Sequence, residues 1–354
     1  MLNELGKAVS FASNFFLSKP FYVSLDITNY CNLRCEGCDF PLLFEQKKLG
    51  DDLPLEGIEA RIDALNDAFG SLAIFLAGYE PTIRKDLTEI ISIASKRNYV
   101  GIVTNGTLMD RSKAESYWAA GMRFASVSMP TFEEERFKQI TGVNRYALSD
   151  VMNTVEILSE TVPKLGKLRL GRVTIAVTID NNTTHEEIER VAAYAKEVNA
   201  FVSFQPYSAS KPSSALQIYD FTQDNRLITP DTVTSKFNGS LSDTIIKLKR
   251  EYPIIGRDVA LRNFDVFLEQ GSIPFKPRAL KVYQNGDIAL HPEAEAFSNI
   301  DLQSPKEVWQ DYRQHVEAIR ASPESFRAPN AYRCVNVTTP STPVGDIAWN
   351  VAEF

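Results

Sequence analysis

An α/β architecture, a partial (β/α)6 barrel followed by an α+β C-terminal appendage, is predicted by three observations. Strand-like runs rich in Val, Ile and Phe recur at 22–27, 72–77, 99–104, 123–128, 170–178 and 200–205. Helical patterns lie between them, and serial βα units with right-handed crossovers give a curled parallel sheet with its helices outside. Beyond about residue 207 the alternation stops. The chain of 354 residues therefore divides into an N-terminal helix (1–20), a barrel (21–210) and an extension (211–354).

Taken in order, residues 8–17 form a short apolar stretch with Phe11, Phe15 and Phe16, and Leu2, Leu5 and Val9 on a compatible helical face. That pattern predicts a helix closing one end of the barrel; the sharper reading is a membrane-surface anchor, which would point to a lipid substrate. It lacks the basic leader and small-residue cleavage site of a signal peptide. Ile58, Ile62, Leu65 and Phe69 mark the apolar face of one barrel helix; Leu87, Ile90, Ile91 and Ile93 mark another. Thr184 and Glu187 make a capping box ahead of Ile188, Val191, Ala195 and Val198. The segment 208–230, rich in Ser and Lys and without periodicity, reads as a boundary or a lid. Helical patterns follow near 240–251 and 257–270, then a hairpin over 280–290 turning at Asn285-Gly286, then a helix carrying Val308, Trp309, Val316 and Ile319.

Composition narrows the function. Apolar residues at 44% and charged residues at 23% are those of an ordinary soluble domain. A net charge of −7 and the lack of a basic stripe argue against a nucleic-acid partner. Four cysteines, three of them clustered, exclude a disulfide framework and suit a reducing, cytoplasmic setting. No apolar run approaches the roughly 20 residues of a bilayer-spanning helix. Three histidines supply too few ligands for a zinc or non-haem iron site, and no phosphate-binding glycine loop is present; His185 and His315 read as surface residues.

The chemistry is concentrated in Cys31-Asn32-Leu33-Arg34-Cys35-Glu36-Gly37-Cys38, directly after the first strand. Three thiolates at C-x3-C-x2-C spacing can hold three irons of a [4Fe–4S] cluster and leave the fourth iron without a protein ligand. An open metal position is where reactions occur. Strand C-terminal ends are the places to look for the rest of the site.

With its lead-in Thr28-Asn29-Tyr30, this motif resembles that of the radical S-adenosylmethionine (SAM) superfamily. The resemblance implies a TIM-like partial barrel and SAM chelated to the open iron. It further implies reductive cleavage of SAM to methionine and a 5′-deoxyadenosyl radical that abstracts a substrate hydrogen. Gly37 departs from the aromatic residue many members place there. Ala77-Gly78-Tyr79-Glu80-Pro81 looks like the family's Gly-Gly-Glu-Pro segment, which makes Gly78 and Glu80 SAM-positioning residues. Tyr79, in place of the second glycine, either projects into the site as a wedge or hydrogen-atom donor, or packs away. Thr104-Asn105-Gly106 matches the usual Thr-Asn-Gly at the third strand's end, and Ser128 is the serine expected to meet the ribose or methionine of SAM, although Pro130 stands where aspartate is frequent. Thr174, Val177 and Thr178 alternate on the fifth strand, where polar inward residues would line the nucleoside. Gln205 ends the sixth strand, where adenine or substrate would lie.

The extension resembles the SPASM or twitch region of the same superfamily with its cysteine places vacated. Phe275-Lys276 and His291-Pro292 flank the hairpin, and only Cys334 remains. No auxiliary cluster is therefore expected. Cys334 reads as a buried apolar residue or as a hydrogen-atom donor like that of some radical SAM epimerases. The implied partners are an electron donor such as flavodoxin or ferredoxin and a small-molecule, peptide or lipid substrate. Redox-neutral outcomes rank above net oxidation. The competing reading is a non-catalytic Fe–S or SAM-binding module, which Tyr79 and Pro130 favour.

Overall fold

Residues 21–206 fold into six parallel strands hydrogen-bonded in chain order, as six βα units in series require. In this computed structural model the described residues are 2–17, 19–36, 38, 40–207, 233, 235–237, 239–256, 258–262, 264–266, 273–274, 278–290, 294–321 and 327–328. Cys334, His291, Pro292, Phe275, Lys276, Gly37 and the segment 208–230 lie outside them.

The barrel strands are β1 (Tyr22–Asp26), β2 (Ala73–Ala77), β3 (Tyr99–Thr104), β4 (Met122–Ser128), β7 (Arg172–Ile179) and β8 (Phe201–Pro206). A small β5–β6 hairpin (Lys164–Leu165, Leu168–Arg169) precedes β7, which begins at Arg172 rather than residue 170. Helices α3 (Leu55–Phe69), α4 (Leu87–Ser95), α5 (Arg111–Ala119), α7 (Leu148–Thr161) and α8 (His185–Glu197) are the crossovers. Short helices α2 (Phe40–Glu45) and α6 (Glu134–Thr141) sit in βα loops.

Alternation along each strand separates two faces. Val23, Leu25, Ile74, Leu76, Val173, Ile175 and Val177 are buried in the core that the strands share with the helices. In α3 the expected Ile58, Ile62, Leu65 and Phe69 supply that core; in α4 the fourth residue is Ala94, and Ile93 is only partly buried. The concave face carries Ser24, Asp26, Ser126, Ser128, Thr174, Thr178, Ser203 and Gln205, all half-buried. Its floor is aromatic: Tyr22 stacks on Phe75 at 5.0 Å, Phe75 on Phe124 at 5.7 Å, and the Arg172 guanidinium lies 5.7 Å from Phe124 and 5.6 Å from Phe201. Gly101 makes room for this layer, since a Cβ there would meet the Phe75 ring at 2.7 Å. These rings and the Arg172 guanidinium form a continuous layer across the lower part of the concave face.

The predicted hairpin is β10 (Ala279–Val282) and β11 (Asp287–Ala289), closed by Gln284-Asn285-Gly286 with Gly286 at φ +85°. This is a three-residue turn ending in a left-handed glycine rather than a two-residue one. Its placement is not evident from sequence: β10 pairs parallel to β1, and β12 (Ser298–Asn299) follows β11, so the hairpin extends the barrel sheet to nine strands. Buried Arg61 of α3 fixes it, donating to both Asp301 oxygens, to Tyr283 O at 3.1 Å and to Gln284 O at 2.8 Å. Helix α9 (Leu241–Leu248), the short α10 (Asp258–Leu261) and a two-strand pair, β9 (Ile273–Pro274) with β13 (Arg327–Ala328), complete the described extension. Helix α11 (Pro305–Ala321) packs on α3; Tyr312, not Trp309, is its buried aromatic. His315 is half-buried and stacked on Phe297, not a surface residue, because α11 lays that face on the 295–299 segment. His185 is the first residue of α8 and is half-buried.

Helix α1 (Leu2–Phe16) lies at the end of the barrel where the strands begin, with only part of the expected face turned inward: Phe11 packs there, whereas Leu5 and Val9 do not. Asn14 donates to Ser71 O at 2.8 Å, Ser10 Oγ accepts from Ser71 N at 3.0 Å, and Phe11 packs edge-on against Tyr99. Leu5, Val9 and Phe16 point outward. No helix among the described residues is long and apolar enough to cross a membrane.

Candidate active site

The three cysteines occupy one loop, from the end of β1 to the start of α2, at the C-terminal mouth of the barrel. All three are half-buried thiols. The loop is clamped from outside by the end of α6, where Arg34 N donates to Thr141 O at 2.9 Å and Glu36 N to Ile140 O at 2.7 Å. Gly142 permits that approach: it has φ +66°, and a Cβ there would stand 2.3 Å from Arg34 O. A helix ending in Thr-Gly is an ordinary left-handed cap in sequence; its role against the cysteine loop is visible only in three dimensions. On the other side Asp52 accepts from Thr28 Oγ1 at 2.7 Å and from Asn29 N at 2.6 Å, while Arg84 donates to Ile27 O at 2.8 Å. Neither Asp52 nor Arg84 is marked by any sequence pattern.

Glu80 sits behind this loop, fully buried. Its Oε1 accepts from Thr82 N at 3.0 Å and from the Thr82 and Thr104 hydroxyls; its Oε2 accepts from Asn105 N at 2.6 Å. Burial holds this carboxyl above its ordinary pKa range, against the pull of those hydrogen bonds. With every acceptor directed into protein, Glu80 joins the ends of β2 and β3 and positions Asn105. Thr104 is likewise consumed internally, and Gly106 at φ +75° is packed so closely that a Cβ would strike Val127 at 2.8 Å.

Asn105 carries this order to the cysteines. Its amide donates to Asn32 Oδ1 at 2.9 Å and lies 3.8 Å from Cys31 Sγ, while its Oδ1 accepts from Thr107. Leu33 N also donates to Cys31 Sγ at 3.4 Å. Burial, followed by smaller contributions including the charge of Glu80, raises the Cys31 thiol pKa, and these N–H donors oppose it. Donors aimed at a sulfur suit a ligating thiolate, whose charge they stabilise. Among the described residues no His, Cys, Asp and Glu side chains gather closely enough for a single metal ion. The donor set of three thiols on one loop instead fits a cluster with three protein ligands.

Gly78 has φ +109°, and a Cβ would stand 2.5 Å from Thr28 O. Glycine is therefore needed to bring the β2 exit against the cysteine loop, where Glu80 N donates to Tyr30 O at 3.0 Å. The Tyr79 ring lies 4.8 Å from that of Phe40, just beyond the cysteine loop, and Phe40 in turn sits under the Arg34 guanidinium. Gly78, Tyr79, Glu80, Thr104, Asn105 and Gly106 are thus assembled beside Cys31. Ser128 and Gln205 lie farther round the arc, on the concave face at the ends of β4 and β8; Thr174 and Thr178 share that face, whereas Val177 points into the helix-covered core.

Two further groups escape a sequence reading. Glu187 completes only half of the capping box: Thr184 Oγ1 accepts from Glu187 N, but the carboxylate turns to Phe132 N at 2.8 Å and Arg136 at 2.9 Å, bracing the loop after β4. Within the lumen, Lys281 of β10 pairs with Asp26 at the end of β1.

Comparison with known proteins agrees with this geometry. Residues 25–200 match the profile described as the Radical SAM superfamily. The chain is 38% identical over 127 residues to a GTP 3′,8-cyclase of Stenotrophomonas maltophilia, covering 35% of this chain and 38% of that protein. It is 33% identical over 156 residues to an Fe-coproporphyrin III synthase of Methanosarcina barkeri, covering 42% and 38%. The chain thus spans about two fifths of the length of these relatives. Among solved structures, Streptococcus suis SuiB bound to the precursor peptide SuiA superposes with a TM-score of 0.60 at 14% identity, over 86% of this chain and 67% of that one. The anSMEcpe structure with bound AdoMet gives 0.59 at 20% identity, over 84% and 83%. With the cysteine motif, the strand-end segments and the profile match all falling on the same barrel, the chain belongs to the radical SAM superfamily.

Proposed function

We propose that this protein is a radical SAM enzyme whose single [4Fe–4S] cluster is held by Cys31, Cys35 and Cys38. The observation that carries this reading is the hydrogen-bonded path from Glu80 through Asn105 to Cys31, which ties three strand ends to one cysteine loop. When bound, the cluster would pass one electron to SAM, giving methionine and a 5′-deoxyadenosyl radical that takes a hydrogen atom from substrate. Asn105 orients the Cys31 thiolate, and Gly78 keeps the β2 exit close enough for its backbone to meet SAM. Ser128 and Gln205 offer polar groups across the lumen to the rest of the nucleoside.

The substrate reading is coarser. The GTP cyclase relatives and the peptide-bound SuiB support a small molecule or a peptide, and the Lys281–Asp26 pair supplies a charged contact in the lumen for either. A flavodoxin or ferredoxin would serve as electron donor. With only Cys334 left outside the motif, redox-neutral chemistry is favoured over oxidation, which must export an electron. The test is anaerobic reconstitution with iron and sulfide, followed by dithionite and SAM. Formation of 5′-deoxyadenosine supports the enzyme; a loaded cluster with no SAM cleavage supports a binding module instead.

A further inference from the structure

Helix α1 docks by Phe11 together with several polar residues and leaves two large aliphatic side chains exposed. Its polar residues face the protein: Ser10 and Asn14 bond Ser71, and Lys7 is buried with its ammonium reaching Ser95 O at 3.4 Å. Of its apolar residues Phe11 packs inward against Phe21 and Tyr99, whereas Leu5 and Val9 are 63% and 62% exposed, with exposed Gly6, Ala8 and Ala12 beside them. Glu4 is the one charged residue on that outer side, and it pairs with Lys7. Burying an apolar stripe is what ordinarily drives a helix to dock, so the exposed Leu5 and Val9 call for a cover that the barrel does not supply.

A second element at the same end repeats the pattern. All barrel strands run parallel, so the loops preceding them share the face opposite the cysteines. There the β5–β6 hairpin, Lys164-Leu165-Gly166-Lys167-Leu168-Arg169, exposes Leu165 at 70% and Leu168 at 64%, each directly after an exposed lysine, Lys164 and Lys167. Arg169 turns back to Ser159 O and Asn199 O, fixing the hairpin's base. Exposed Lys96 adjoins the Ser95 carbonyl that Lys7 reaches from α1. Among the described residues, most of the exposed large apolar side chains belong to this one face.

We propose that this face is a peripheral membrane-docking surface for anionic phospholipid, α1 lying in the interface and the hairpin inserting its leucines between lysine–headgroup contacts. Charge complementarity selects this occupant. In a chain of net charge −7 the hairpin presents two exposed lysines and no acid, its third cation, Arg169, being turned inward. Leucines interleaved with lysines match an apolar layer beneath anionic headgroups. The proposal is independent of the radical chemistry. It has one consequence for it: the cysteine mouth opens away from the bilayer, so docking localises the enzyme without feeding it a lipid from the surface it sits on.

The test is flotation of the full chain, under anaerobic conditions, with vesicles of phosphatidylcholine alone or with 30% phosphatidylglycerol, run beside 5′-deoxyadenosine formation in vesicle-free buffer. The expected result is binding to the anionic vesicles only, weakened by high salt. K164E/K167E should weaken it at least tenfold, at roughly fivefold per lysine, and L5D/V9D should abolish it, with cofactor turnover unchanged in both variants. Failure to bind either vesicle overturns the proposal. So does equal binding by L5D/V9D, or a wild-type dimer in light scattering that L5D/V9D dissociates, which would make a second copy the occupant. Loss of turnover alone would count against the enzyme reading and leave the docking result standing.

Discussion

Glu80 and Asn105 are joined across the ends of two adjacent strands by a 2.6 Å hydrogen bond from the Asn105 backbone N–H to Glu80 Oε2. Through it a residue with no exposed atom sets the position of one that reaches Cys31. Glu80→Gln supplies an amide in place of the second acceptor and sets a donor against either the Asn105 N–H or the Thr82 and Thr104 donors. It should cost about 1–3 kcal/mol of stability and weaken SAM binding at least about tenfold. Calorimetry of SAM binding to the reconstituted variant and thermal denaturation check this; wild-type affinity would refute the positioning role.

The same carboxyl gives a pH signature. Its folded-state pKa lies above the unfolded value because burial outweighs its hydrogen bonds. Between the two values the folded state holds a proton that the unfolded chain has released. Stability from this site should therefore be greatest below about pH 4.5, decline as pH rises toward the folded value, and level off beyond it. Comparing denaturant midpoints of wild type and Glu80→Gln across pH isolates the contribution, since the glutamine variant should lack that slope.

Gly78→Ala meets two obstacles at once, a φ of +109° and a Cβ 2.5 Å from Thr28 O. Backbone strain and the clash together should cost about 2–4 kcal/mol and shift the cysteine loop. Iron content after reconstitution and the melting temperature report both effects. Unchanged values would show that the close approach is not required.

Arg61 ties α3 to the C-terminal hairpin through two hydrogen bonds and to Asp301, just after β12, through two more. Arg61→Met should loosen the hairpin at a cost of about 2–4 kcal/mol and expose the chain after residue 282 to proteolysis while the barrel persists. Limited proteolysis with mass mapping distinguishes this from global unfolding.

The barrel is legible in sequence because each strand is a bounded apolar run and each crossover helix shows its own face, as Ile58, Ile62, Leu65 and Phe69 do. The strand-end motifs are legible because close backbone approaches demand glycine at Gly78 and Gly106. What escapes depends on contacts between distant segments. Nothing local to 279–282 says that it pairs with β1, and nothing local to Gly142 says that Arg34 O lies against it. Helix α1 is only partly legible for another reason: apolar periodicity does not say which apolar residues the barrel will cover, and Phe11 is packed while Leu5 and Val9 are not. Glu187 is read as a cap from its spacing, yet Arg136 and Phe132 N claim its carboxylate once the chain is folded.

The central claim is that Cys31, Cys35 and Cys38 hold a cluster with one iron open to SAM. Electron paramagnetic resonance of the anaerobic, dithionite-reduced protein tests it most directly. The expected result is a [4Fe–4S]+ signal whose g-values shift when SAM is added and which is absent in each Cys→Ala variant. A signal indifferent to SAM, or one that survives loss of Cys35, would contradict the account.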